Sequence, residues 1–489
     1  MSEGGQQIHL SLISHTNVGK TTLARTLLAR NVGEVRDAPH VTASVDAHAM
    51  IETPQSDVMQ LWDTPGLGDS ARLAKRLQAS GNPIGWLLSQ VWDRWRDRPF
   101  WSSQQAIRNV RDHADVVLYL ANAAEDPANA GYVASEMQIL EWIWKPAVAL
   151  LNQVGEPRPR ADEQAEEERW RAHLARYPVV RGVLTLDAFA RCWVQEMTLL
   201  RAIGAALPEA KREVFARLAA AWEARRMGEF EASIDALAAQ LARAACDREP
   251  LDERGIRAQL RELLARDGET GPKERAMERL AERLDADVRA TTDRLIEIHR
   301  LEGKATGEVL ARLAGDFALD EHVSEGKAAI LGGLASGALT GLAADLATGG
   351  LTFGGGLLTG ALLGALGAAG LARGYNLVRG TTESAVRWSD EALDAFVTSA
   401  LLRYLAVAHY GRGRGEWARS EHPPFWKGEV EAVVDPRRAA LAAIWAERSG
   451  ECDAAKLAPL VRAELGGAAR ELLERLYPGA LDARASAGQ

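Results

Sequence analysis

At 489 residues the chain exceeds one hydrophobic core, so two or three domains are expected. Its 47% hydrophobic content supports large cores, and a formal net charge of −9 weighs against bulk nucleic-acid binding. Three widely spaced cysteines (Cys192, Cys246, Cys452) match no metal spacing and suggest a reducing compartment without disulfides; the start, Met1-Ser2-Glu3-Gly4-Gly5, lacks an export pattern, so a cytoplasmic location is expected.

The first predicted element is a strand, the alternating run from Ile8 to Ile13, and a helical pattern begins near Thr22. Between them lies Ser14-His15-Thr16-Asn17-Val18-Gly19-Lys20-Thr21. A strand, a tight loop and a helix start direct successive backbone N–H groups at one anion, and Lys20 adds a point charge. Thr21 would place its hydroxyl on magnesium. The loop departs from the usual pattern at Ser14, where a glycine is common. A second strand, Val58 to Trp62, runs into Asp63-Thr64-Pro65-Gly66, 43 residues after Lys20. A carboxylate there can hold magnesium through water, and the Gly66 N–H can meet a γ-phosphate.

Three further apolar runs follow, Ala114 to Ala121, Ala147 to Leu151 ending in Asn152-Gln153, and Val183 to Leu186 ending in Asp187-Ala188. Helical stretches separate them, which predicts an α/β domain with a mostly parallel sheet and helices on both faces. Ligands of such sheets bind at the carboxyl ends of the strands, where all these motifs fall.

The order of these motifs resembles the P-loop GTPase domain of the Era/TrmE-like group, over roughly residues 6 to 200. The resemblance implies GTP/GDP and Mg2+ as ligands. Ser14 to Thr22, Asp63, Gly66, Asn152, Gln153, Asp187 and Ala188 would then form the nucleotide site. Thr42, in Pro39-His40-Val41-Thr42, would be the magnesium-binding threonine of the first switch, beside Thr21 and Asp63. Gln153 and Gly155 stand where the guanine-reading motif has lysine and aspartate, with Glu156 adjacent. Losing a charge-assisted pair costs roughly 1.5–3 kcal/mol, which weakens selectivity for guanine. Leu67 occupies the position of the water-orienting glutamine of Ras-like enzymes. Relatives with this substitution use K+ beside the phosphates, held by an asparagine that matches Asn17. Lys20, Asn17, Thr42 and Gly66 are therefore the candidate catalytic positions.

An insertion from about Ser70 to Asn109 carries Trp86, Trp92, Trp95 and Trp101, a spacing expected of a packed helical lid, with partner docking as the alternative. From about Pro208 long amphipathic helices begin. Leu280, Leu284, Val288, Thr291, Leu295 and Ile298 form a seam at steps of four and three, read as packing within one domain rather than as an intermolecular coil of a homodimer.

Residues 328–372 carry one ionisable side chain, Asp345, and glycines at every fourth position, Gly333-Gly337-Gly341 and Gly356-Gly360-Gly364, around Gly349-Gly350. This predicts a glycine-zipper hairpin of two helices, each spanning about 27–30 Å and able to enter a bilayer, in keeping with inner-membrane association; a tight hairpin buried within the protein is the alternative. Gly411-Arg412-Gly413-Arg414-Gly415 reads as a loop. GTPase domain, zipper and loop together resemble a bacterial GTPase family with a C-terminal domain of unknown function. The expected organisation is a GTPase domain at 1–205, a helical domain at 206–326, the hairpin at 327–376 and a helical region at 377–489. The function this implies is a GTP-binding and hydrolysing switch whose nucleotide state controls the helical domain, with membrane contact through residues 328–372 and an unidentified protein partner as further expectations. A soluble assembly or RNA-maturation factor and a nucleotide binder with little turnover are the alternatives.

Overall fold

A computed structural model describes residues 5–28, 45–89, 98–153, 160–186, 192–251, 272–301, 375–379, 384–409, 425–448 and 452–481. The chain forms two compact units. One comprises Met1–Met227, His409–Pro423 and Gly479–Gln489, the other Gly228–Ala408 and Pro424–Pro478.

The first unit is built on a six-stranded sheet of order β2-β3-β1-β4-β5-β6. Its strands are β1 (Gln7–Ser14), β2 (Asp46–Glu52), β3 (Val58–Asp63), β4 (Val116–Asn122), β5 (Ala147–Asn152) and β6 (Val180–Thr185). All neighbours pair in parallel except the edge strand β2, which runs antiparallel to β3. β5 is buried along its whole length and β4 at all but its last residue. Their unbroken apolar runs are therefore what a sheet covered on both faces requires.

Alternate side chains of the same strands feed two separate cores. Leu10, Leu12, Leu118 and Leu150 pack against α1 (Lys20–Leu28), α7 (Trp193–Ala206) and the first part of α8 (Glu209–Cys246), including Phe215, Leu218 and Trp222. Ile13, Val117, Tyr119 and Leu151 face the other layer. That layer contains α2 (Ser70–Gln78), α3 (Pro83–Ser89), α4 (Arg98–Asp112), α5 (Gly131–Ile143) and α6 (Arg160–Leu174). Between α7 and α8, Arg226 donates from Nε and Nη2 to Glu196 at 2.9 and 2.8 Å, a buried two-pronged ion pair.

The Ser70 to Asn109 insertion forms α2 to α4. Phe100 is buried, with the Arg72 and Arg76 guanidinium groups 5.1 and 4.8 Å from its ring centre. Trp86 packs against the core as expected of a lid, Trp101 is half-buried, and Trp92 and Trp95 lie outside the described residues.

In the second unit, α9 (Pro272–Ile298) buries Leu280, Leu284, Val288, Thr291 and Leu295, with Ile298 half-buried, so the seam is used within the unit. α10 (Asp390–Ala408), α11 (Phe425–Val434), α12 (Arg438–Ala446) and α13 (Ala454–Leu476) complete the helices among the described residues. A small antiparallel sheet, β7 (Arg248–Leu251), β9 (Ser384–Trp388) and β8 (Tyr375–Arg379) in that order, was not expected from the sequence. Strands of four or five residues are too short for their periodicity to stand out.

One expectation is corrected. Cys246, the last residue of α8, and Cys452, just before the Asp453 cap of α13, form a disulfide with Cα atoms 5.2 Å apart. Their separation of 206 residues hid the pairing. Cys192 is buried and takes no part in this disulfide. Residues 328–372 and 411–415 lie outside the described residues, and among the described residues no helix is long and apolar enough to cross a membrane.

Candidate functional site

The loop after β1 turns on two left-handed residues, Asn17 at φ 66° and Gly19 at φ 93°. Asparagine tolerates that conformation better than most side chains, and glycine does so freely. Gly19 is also required by space, since a Cβ there would lie 2.6 Å from Asn152 Nδ2. The Leu23 N–H then donates to the Gly19 carbonyl at 2.9 Å and α1 begins.

Lys20 is buried at the head of α1, and its Nζ donates to Ser14 Oγ at 2.8 Å and to the His15 carbonyl at 3.4 Å. Ser14 thus supplies an oxygen that glycine would lack. Burial pulls the Lys20 ammonium down to about 8, opposed by the negative fields of Asp63 and Glu136. Thr21 Oγ1 donates to Asp63 Oδ2 at 2.7 Å, while Asp63 Oδ1 is buried with no hydrogen-bond partner among the described residues. Burial raises the Asp63 carboxyl above its ordinary range, against the Thr21 hydrogen bond and the Lys20 charge.

Asn152 and Gln153, expected from the sequence to lie at the nucleotide's base, both reach the loop. Asn152 Nδ2 donates to the Val18 carbonyl at 2.7 Å, and Gln153, itself left-handed at φ 58°, donates from Nε2 to the Asn17 carbonyl at 3.2 Å. Gly66 sits where a Cβ would lie 3.0 Å from Thr16 Cγ2 and 3.2 Å from Lys20 Nζ, so the switch loop approaches as closely as glycine permits. The Leu67 N–H donates to the Ser14 carbonyl at 2.9 Å, and its side chain is only 1% exposed, buried in the α2–α6 core. The Gly68 N–H is bound by Ser103 Oγ of α4 at 3.0 Å.

The fold therefore gathers Ser14, His15, Thr16, Asn17, Val18, Gly19, Lys20, Thr21, Asp63, Gly66, Asn152 and Gln153 at one end of the sheet. Thr22 is buried in α1, its carbonyl accepting from Thr26 Oγ1 at 3.0 Å. Thr42, Asp187 and Ala188 lie outside the described residues, as do Gly155 and Glu156. Three residues escaped the sequence reading: Ser103, Tyr119 and Glu136. Glu136 had one visible mark, an acid in the apolar stripe of Val133, Met137 and Leu140.

The donor set suits magnesium. A hydroxyl and a carboxylate with a free buried oxygen are hard ligands, and magnesium takes few protein ligands beside phosphate and water. Among the described residues no group of three or more His, Cys, Asp or Glu is placed to hold a metal ion.

Sheet order, phosphate loop and the Asp63 to Gly66 turn together define an N-terminal P-loop GTPase domain. The family model described as 50S ribosome-binding GTPase matches residues 9–153. A second, a domain of unknown function (DUF3482), matches residues 171–476. That is more than half of the chain, which belongs to the DUF3482 family.

Among solved structures, an Era variant from Aquifex aeolicus bound to GDP and AlF4− is 16% identical, with a TM-score of 0.32 over 42% of this chain and 58% of that one. Era with MgGDPNP and nucleotides 1506–1542 of 16S ribosomal RNA gives the same values. Toc33 from Arabidopsis thaliana is 14% identical over 45% of this chain and 84% of that one, with a TM-score of 0.27. The chain thus spans 58% of the length of the Era structures. No curated protein sequence matches it.

Proposed function

We propose that this chain binds GTP and GDP with Mg2+ and hydrolyses GTP, and that the bound nucleotide switches the helical region that follows. The observation that carries the reading is the Thr21–Asp63 hydrogen bond beside the buried Lys20 ammonium. It joins phosphate loop and second switch in the arrangement that phosphoryl transfer uses, positioning plus charge neutralisation. Thr21 and Asp63 would hold magnesium, with Thr42 as a further ligand, and the ion would neutralise charge on the phosphate oxygens. Lys20 draws the terminal phosphates in, and the Gly66 N–H meets the γ-phosphate as the switch loop orders.

K+ held at Asn17 is part of the proposal, because Leu67 is turned into the core and cannot orient water. The same observation supports a second reading, a nucleotide binder with slow turnover. Base selectivity rests on Asn152, Asp187 and Ala188 without an aspartate at Gly155, so guanine preference is proposed to be modest. Residues 328–372 are proposed as a membrane contact, and a homodimer or an unidentified protein as the partner; net charge disfavours nucleic acid.

Phosphate release from GTP and ATP, measured with Mg2+ in K+ and in Na+ buffers, tests the reading. Faster GTP turnover in K+, absent in Lys20→Ala, supports it. Equal rates in both salts remove the potassium role, and turnover unchanged in Lys20→Ala removes the enzyme.

A further inference from the structure

His15, the second residue of the phosphate loop, is held from three directions. Its Nδ1 lies 3.0 Å from Glu136 Oε1 of α5. Its ring stacks on Tyr132 at 4.5 Å and 21°. Its backbone pairs as an isolated bridge with Leu67 of the switch loop. The His15 carbonyl in turn accepts from Lys20 Nζ at 3.4 Å and from the Ser14 hydroxyl.

Glu136 is fully buried, 121 residues from His15, and the Tyr119 hydroxyl of β4 donates to its other oxygen at 2.8 Å. Both oxygens are therefore bound to named groups, and neither partner is an arginine or a lysine. A carboxylate is costly to bury, and an apolar side chain would suit the stripe of Val133, Met137 and Leu140 better. Tyr119 alone needs only a neutral acceptor. The bond to His15 is what makes the carboxylate useful. It fixes the ring's orientation, and with Glu136 ionised it makes Nδ1 the protonated nitrogen, as second-layer carboxylates do for working histidines.

We propose that Glu136, acting through His15, is a positioning residue of the nucleotide site, holding the first half of the phosphate loop so that the His15 carbonyl keeps Lys20 aimed into it. The inference rests on the nucleotide-binding reading above. It gives α5 a direct connection to the loop, since Glu136 grips the same residue whose backbone pairs with the switch. A purely structural carboxylate would affect folding and leave the loop's preorganisation alone.

The test is magnesium-dependent affinity for GTP and GDP, measured by calorimetry on the full chain and on folded variants checked by melting. Glu136→Gln keeps an amide oxygen that can accept from His15 Nδ1–H, while its NH2 can donate to the Tyr119 hydroxyl oxygen, so it should bind within about 3-fold of the native chain. Glu136→Ala and His15→Ala should each bind about 10- to 100-fold more weakly. The double variant should be no weaker than the weaker single one, because both remove the same contact. In NMR spectra the Nδ1-protonated His15 tautomer should persist in Glu136→Gln and be lost in Glu136→Ala.

Native-like affinity in a folded Glu136→Ala, or losses that simply multiply in the double variant, overturns the inference. Should Glu136→Ala not fold, His15→Ala carries the test, and native affinity there overturns it equally. A native chain that binds no nucleotide overturns the underlying reading and the inference together, whereas native binding with unaltered variants overturns the inference alone.

Discussion

Thr21 Oγ1 and Asp63 Oδ2 are joined by a 2.7 Å hydrogen bond across 42 residues of sequence, and the other oxygen of Asp63 is buried without a partner among the described residues. The phosphate loop and the end of β3 are thus already docked, with one acceptor left over. Burial disfavours the charged form of Asp63. Asp63→Asn keeps an acceptor for Thr21 and removes the buried charge. We predict a rise in the melting temperature of the nucleotide-free chain, together with at least a 10-fold loss of magnesium-dependent nucleotide affinity. Calorimetric melting with parallel magnesium titrations reads both; a fall in melting temperature would show that the charge stabilises the fold.

Leu67→Gln should not create a water-orienting glutamine. The side chain is buried in the core, and a polar amide there lacks partners, which costs about 1–3 kcal/mol. The expected result is lower stability with no gain in GTP turnover. Leu67→Ala should cost about 2–5 kcal/mol through the cavity it leaves. Denaturant unfolding and phosphate release check the pair, and faster turnover in Leu67→Gln would contradict the burial.

Burial also raises the Glu136 carboxyl above its ordinary range, with the His15 hydrogen bond pulling the other way. The sign follows from proton counting. Between the ordinary carboxyl range and the raised one, the folded chain holds more protons than the unfolded chain, so stability falls as pH rises through that window. Glu136→Gln lacks this titration. The difference in melting temperature between Glu136→Gln and the native chain should therefore grow in favour of the variant as pH rises above the ordinary carboxyl range. A difference constant with pH would show that Glu136 titrates normally.

The Cys246–Cys452 disulfide closes a long loop within the second unit, and such a link contributes about 2–4 kcal/mol by restricting the unfolded chain. A thiol reductant should lower the melting temperature of the oxidised chain, and Cys452→Ser should abolish the response. Mass spectrometry before and after alkylation identifies the linked peptides; alkylation of both cysteines without reductant would contradict the bond.

Five of the six strands were legible because each carries its own evidence; the antiparallel edge strand β2, Asp46–Glu52, has few of its residues buried and was not read. The unbroken apolar runs of β4 and β5 require burial on both faces, and the spacing from Lys20 to Asp63 fits one excursion between neighbouring strands. The phosphate loop could be read for the same reason, since its glycine, lysine and threonine act through backbone geometry that is local in sequence. What could not be read depends on distance in space. Glu136 meets His15 across 121 residues, and Cys246 meets Cys452 across 206. The inward turn of Leu67 follows from packing against α2 to α6. The link from Gln153 to the Asn17 carbonyl depends on a left-handed backbone at Gln153, and a glutamine does not announce that conformation.

Calorimetric titration of the magnesium-loaded native chain and of Lys20→Ala with GTP, GDP and ATP decides whether the phosphate loop is a nucleotide site. The native chain should bind GTP and GDP, and ATP more weakly, while Lys20→Ala should bind none of the three. Undiminished binding by Lys20→Ala, or no binding by the native chain, would contradict a nucleotide site there.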